Sequence, residues 1–196
     1  MSESTEERYA RANQRRERFF ESLPQSLRDE EDAVPAVTRI ANASTRSKLQ
    51  KIYKLADAFM SYREPFTACK RGCADCCRMN ISISSIEAAR ISAASGRPAK
   101  KLLQSKPHGV DKFAGDPCPF LGEENTCSIY SDRPLVCRNH ASFDTDSVMC
   151  EPSVMNSAEM PMVNYDGLKE AMHVLTRSSP DAAFADIRDF FPKGLD

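Results

Sequence analysis

No run of about 18 apolar residues occurs anywhere in this 196-residue chain, so no stretch is long enough to cross a bilayer as a helix. The opening Met1-Ser-Glu-Ser-Thr-Glu-Glu-Arg8 is charged and lacks the apolar segment of a secretory signal. Charge of one sign is also missing: 27 basic residues stand against 28 acidic ones, for a formal charge of −1 and a pI of about 6.3. That balance offers no electrostatic footprint for nucleic acid or an anionic membrane. There is no Gly-rich phosphate loop, no Gly-x-Ser-x-Gly and no His-Glu-x-x-His, and no pair of carboxylates stands out as acid and base, so kinase and hydrolase readings have no support. Internal repeats and low-complexity linkers are absent too. These absences leave a soluble, cytoplasmic protein with no nucleic-acid and no membrane partner, long enough to bury a real core.

What the chain has is cysteine, eight in all. A chain of this size does not need disulfides for stability, and in a reducing compartment cysteines point to metal or redox chemistry before bridges. Four of them, Cys69, Cys73, Cys76 and Cys77, fall within nine residues. Thiols this close can converge on one soft metal at little loop-closure cost. The other four, Cys118, Cys127, Cys137 and Cys150, lie in a stretch rich in Pro, Asp and Asn with no sustained apolar period. Burial alone would order such a stretch poorly, and a metal cross-link compensates for the missing core. Neighbouring side chains usually diverge, so Cys76 and Cys77 do not both reach one tetrahedral ion comfortably; either one is a spare or two metals are close. Eight thiols permit two four-thiolate sites, or one site and four thiols in other roles.

Cys73 to Cys76 is a Cys-x2-Cys knuckle, yet the distal cysteines supply no second knuckle. One compact run plus remote cysteines leans to iron–sulfur, with zinc as a near equal. The Cys-x3-Cys-x2-Cys spacing is also that of radical enzymes using S-adenosylmethionine. Asp75 stands where those enzymes carry an aromatic residue, and no strand–helix alternation of a β/α barrel follows. His140, three residues after Cys137, is a further candidate ligand; His108 and His173 are weaker ones.

The fold expected around the cysteines is mainly α, a small helical domain organised around a cysteine-rich metal-binding core with irregular loops. Residues 1–35 read as a charged N-terminal arm or helix, its basic clump Arg11 to Arg18 a solvated face. Residues 36–196 read as a single cysteine-cluster metal-binding domain, with the motif region at 66–152 and a helical C-terminal part at 163–191. An amphipathic helix runs from about Val37 to Arg63, most clearly after Lys48, and Pro65 stops it. Met79, Ile81 and Ile83 make a short extended piece. Ser84 and Glu87 match a capping box, and Gly96 is a stop. Residues 97–106 suggest another short helix. Asn164 caps a helix carrying Leu168, Ala171, Met172 and Leu175, and a last one opens at Ser179-Pro180-Asp181 with Phe184, Ile187, Phe190 and Phe191 on its stripe.

Five ordered blocks resemble a known family: Cys69-Lys-Arg-Gly-Cys73-Ala-Asp-Cys76-Cys77, Ile83-Ser-Ser-Ile-Glu-Ala-Ala-Arg-Ile91, Pro117-Cys-Pro-Phe-Leu121, Cys127-Ser-Ile-Tyr130 and Arg133-Pro-Leu-Val-Cys137-Arg138. Together they look like the CxxCxxCC cysteine-cluster, zinc- or iron-chelating domain of YkgJ type, over about residues 66 to 152. The resemblance implies a metal-chelating domain with Cys69, Cys73, Cys76, Cys77, Cys118, Cys127 and Cys137 as candidate ligands, and Cys150 where some members have a further cysteine. The first gap here holds three residues, where the family's name implies two. A related cysteine pattern occurs in flagellin lysine methylases, which are associated with an iron–sulfur cluster; no methyl-donor site is recognisable here. Arg133 and Arg138, flanking Cys137, read either as donors to thiolate sulfur or as groups that tie the fold. Three roles follow for the metal: a structural or sensory site, a redox or protein-modifying enzyme, or delivery of metal to a protein partner.

Overall fold

The structure is a computed structural model and describes residues 3–70, 72–151, 154 and 160–193. It is mainly α. Helix α1 (Thr5–Ser22) is opened by a capping box in which Ser4 accepts from the Glu7 amide and the Glu7 carboxylate accepts from the Ser4 amide at 2.8 Å. Helix α2 (Gln25–Ile40) follows directly after Pro24, and α3 (Thr45–Arg63) is capped by the Ser44 hydroxyl. The apolar period expected to start near Val37 thus belongs to two helices, broken at 41–44 because Ser44 offers the first amides of α3 an acceptor. Residues 35 and 36 lie inside α2.

The expected extended piece is strand β1 (Ser82–Ser84), and α4 (Ser85–Ser95) follows it, opened by the Ser84–Glu87 box and closed by Gly96 at φ 73°. A five-residue helix α5 (Leu135–Asn139) carries Cys137. Helix α6 (Asp166–Arg177) is followed by strand β2 (Phe184–Asp186) and the short α7 (Ile187–Phe190).

Two apolar clusters organise these elements. The first gathers Ala12 and Phe19 of α1, Leu27 and Val34 of α2, the buried face of α3, and Leu168, Ala171 and Leu175 of α6. Within it α2 and α6 make the most extensive helix pair. Pro35 has no N–H to give the carbonyl four residues back, which is that of Glu31. Gly167, at the start of α6, sits against that freed carbonyl, and a Cβ there would collide with it. The Glu31 carboxylate meanwhile accepts from the Leu168 amide at 3.0 Å, doing the capping that Asn164 was expected to do.

The second cluster joins Ile81 and Ile83, Ala88 and Ile91 of α4, Cys118, Phe120 and Ile129, and Ala185, Ile187, Phe190 and Phe191. Strands β1 and β2 pair antiparallel through Ser82 with Asp186, Ile83 with Ala185 and Ser84 with Phe184. Here the structure departs from the expected last helix. Phe184 to Asp186 spend their backbone groups on β1, and Asp186 then caps α7 by accepting from the Arg188 amide. The helix expected over 97–106 is also absent. That stretch is an irregular strap whose amides at Lys100 and Lys106 donate to Phe190 and Phe184 carbonyls, at 2.7 and 2.8 Å, in place of helical partners.

Candidate metal centre

After α3 the chain turns at Glu64–Phe66 and runs extended into the cysteines, where the Ala68 amide donates to the Ser142 carbonyl at 3.0 Å. Gly72, at φ 88°, supplies a turn that a side chain would strain, and the Cys73 amide closes it on the Lys70 carbonyl. A 3-10 turn over Asp75–Arg78 then presents Cys76 and Cys77. None of the eight cysteines is bridged.

Cys77, Cys118, Cys127 and Cys137 come together on the second apolar cluster, three of them half-buried at its edge and Cys118 within it. The Cys118 amide donates to the Cys77 carbonyl at 2.7 Å. Cys127 is set beside Leu121 by an antiparallel bridge. Cys137 arrives on α5, whose two ends are both held. At the N-terminus the Glu87 carboxylate accepts from the Leu135 amide at 2.7 Å, while also accepting from the Tyr53 hydroxyl and the Ser84 amide. At the C-terminus the buried Arg63 guanidinium donates to the carbonyls of Arg138 and Asn139, at 2.7 and 2.6 Å. An acid at the N-terminus and a cation at the C-terminus both complement the helix dipole.

Cys69, Cys73 and Cys150 form a second neighbourhood with the Asp75 carboxylate, each acting electrostatically on another. The 142–146 segment before Cys150 is clamped by α1. Arg8 and Arg11 donate to the fully buried Asp144 carboxylate at 2.9 and 2.8 Å, and Arg15 donates to the Phe66 and Phe143 carbonyls. The clump read as a solvated face thus grips both chain segments that lead to these thiols. A cavity of about 420 Å³ opens beside them, lined by Lys70, Cys73, Asp75 and Arg78 among others. Cys76 stands between the two neighbourhoods, its thiol hydrogen-bonded to Cys77 and close to both Cys137 and Cys69.

The electrostatics follow from this placement. The hydrogen bond from Cys76 lowers the Cys77 thiol to about 7, and Arg188, Arg78 and Arg133 add to the effect. Cys76 is pushed up by that same bond and by burial. Burial raises Cys118 and Cys150 to about 12 and carries Cys137 well above the ordinary thiol range; Cys73 and Cys127 are raised as well. Most of these thiols therefore keep their protons, so a metal bound there would have to displace them.

Among the described residues no three Cys, His, Asp or Glu side chains stand close enough to share a single ion. The donor set nonetheless suits a soft metal: free thiols, gathered from separate segments and backed by guanidinium groups. His108 bonds Asp189 at 2.6 Å and His173 packs on the Phe184 ring, whereas His140 is buried, with Arg63 acting on it through space and its Nε2 without a hydrogen-bond partner among the described residues. Arg138 is spent on Asp57, on the carbonyls of Ser131 and Arg133 and on the Tyr53 ring, so it ties the fold. Arg133 stacks on Tyr130 and acts on Cys77, Cys127 and Cys137 through space. Sequence reasoning missed Arg188, which lies over 100 positions from the cysteine pair yet donates to the Cys77 carbonyl at 3.2 Å. No local signal marks it, because its role depends on β1–β2 pairing.

A helical scaffold packs four of the thiols against an apolar cluster, and buried charges fix the segments that bear them. Residues 68–153 match the family CxxCxxCC, described as "Putative zinc- or iron-chelating domain". No curated protein and no solved structure matches the chain. Among the described residues no helix is long and apolar enough to cross a membrane.

Proposed function

We propose that this chain binds metal through its cysteine thiolates and holds it as an iron–sulfur cluster, with zinc as the competing occupant. The observation that carries the reading is the gathering of Cys77, Cys118, Cys127 and Cys137, from four separate stretches, against the second apolar cluster, with Cys137 in through-space reach of the other three.

One feature favours the cluster over zinc: the sequence offers a compact cysteine run with remote cysteines and no second knuckle. When bound, such a cluster supplies a cross-link and a one-electron couple. The chain's own part is to present thiolates, exclude water on the apolar side and offset negative charge with Arg133 and Arg188.

Anaerobic purification followed by iron, zinc and acid-labile sulfide determination tests this. Iron and sulfide in roughly equal amounts, with broad visible absorption, are expected. A colourless protein that carries zinc and no sulfide would overturn the cluster and leave chelation standing.

A further inference from the structure

We propose that the cavity of about 420 Å³ beside Cys73 binds a small zwitterion carrying two carboxylates and one ammonium, a molecule of the size and charge of a γ-glutamyl tripeptide. The site stands apart from the thiolate-metal reading, since it needs neither a metal nor a thiol on the ligand.

Charge on the cavity wall selects the ligand class. Lys70 and Arg78 bring two cations to it and Asp75 one carboxylate. None of the three has an ion-pair partner among the described residues. The other acid there, Asp146, is already answered: it accepts from Arg8 at 2.8 Å and from the Val148 amide at 3.1 Å. Solvated charges without partners are ordinary one at a time, but here three line one concave wall together. The open charges are two positive and one negative, so two carboxylates and one ammonium meet them one for one through charge-assisted hydrogen bonds. Such a match also disfavours ligands of the wrong charge pattern. Between the charges, the Asn125 amide and the Ser147 hydroxyl offer donors and acceptors for peptide groups. Size agrees, since small-ligand sites span roughly 300–1,000 Å³.

Three stretches far apart in sequence build the wall, and each is held by its own hydrogen bonds. The Cys73 amide closes the Gly72 turn on the Lys70 carbonyl at 3.1 Å, and the Cys77 amide bonds the Ala74 carbonyl at 2.9 Å. The tip that carries Asn125 is closed by the Gly122 amide on the Thr126 carbonyl at 2.8 Å. Glu124 and Asn125 at this tip sit at φ 56° and 55°, a left-handed conformation that side chains disfavour and that recurs beside ligand sites. The stretch bearing Ser147 is anchored through Asp144, whose carboxylate takes Arg8 and Arg11 of α1. A wall set before the ligand arrives loses little order on binding.

The probe is S-methylglutathione, which has the two carboxylates and the ammonium but no thiol to ligate metal or exchange with cysteine. Titrated calorimetrically into the full chain purified anaerobically, it should bind at one site. Lys70→Gln and Arg78→Gln should each weaken it about tenfold, the loss of one charge-assisted bond, and Asp75→Asn should do the same. Acetylating the probe's ammonium should weaken binding to the unaltered chain and make no further difference in Asp75→Asn. No binding at millimolar probe, affinity that the three substitutions leave unchanged, or equal affinity for the acetylated probe would each overturn the assignment. Should Asp75→Asn or Arg78→Gln lose its helical circular dichroism, Lys70→Gln, at an exposed position, carries the test. Metal content of the same samples separates this from the reading above: metal without probe binding overturns the cavity ligand alone, and probe binding without metal overturns chelation alone.

Discussion

At the scale of single residues, two buried groups, Glu87 and Arg63, fix the helix that carries Cys137. Glu87 takes hydrogen bonds from the Ser84 amide, the Tyr53 hydroxyl and the Leu135 amide while itself almost fully buried. Glu87→Ala leaves those donors unpaired and should cost on the order of 3 kcal/mol in denaturant unfolding; a loss under about 1 kcal/mol would mean that water replaces the carboxylate. His140 makes a pH prediction. Burial, helped by Arg63, lowers its pKa to about 4 from the ordinary 6.5. As pH falls, the unfolded chain takes up the proton first, so the stability associated with neutral His140 is complete above about 6.5 and drains away toward 4, on the order of 3 kcal/mol in all. His140→Phe should flatten stability against pH across that window; an unchanged slope would show that the imidazole is not held neutral. The Ser84–Glu87 capping box was legible in the sequence, because three-residue spacing before an apolar run has one common meaning. The link from Glu87 to α5, 48 positions away, was not, since a carboxylate's second partner depends on which element packs above it.

At the scale of elements, the most extensive helix contact rests on a pairing of two residue types that usually disfavour helices. Pro35 frees the Glu31 carbonyl, and Gly167 lets α6 approach it. Gly167→Ala should force α2 and α6 apart and destabilise by about 1–3 kcal/mol, read as a lower melting temperature. If the variant melts like the unaltered chain, the helices have slack at that crossing. Amphipathic stripes at three- and four-residue spacing made α3 and α6 legible. The same spacing misled at Phe184, Ile187 and Phe191, where a strand followed by a short turn of helix places side chains on one side much as a helix would. Arg11 and Arg15 were read as solvated because their acceptors, Asp144 and two carbonyls, lie more than 50 positions away.

At the scale of the whole molecule, the first apolar cluster is built from helices that support themselves, whereas the second is small and edged with thiols. On the proposed function, metal is part of what completes it. Since thiolate ligands must lose protons, loading should weaken as pH falls, and a chelator should cost more order in residues 66–152 than in α1 to α3, measurable by amide hydrogen exchange. Uniform exchange with and without chelator would contradict this. The site's residue types were legible from cysteine count and order. Their sorting into two neighbourhoods was not, because it depends on which thiols reach the β1–β2 side of the fold. The central claim, that thiolates hold the metal, meets its most direct test in X-ray absorption at the metal edge of the anaerobically loaded protein. The account predicts a first shell of sulfur at about 2.3 Å, roughly four per metal. A first shell dominated by nitrogen or oxygen would contradict it.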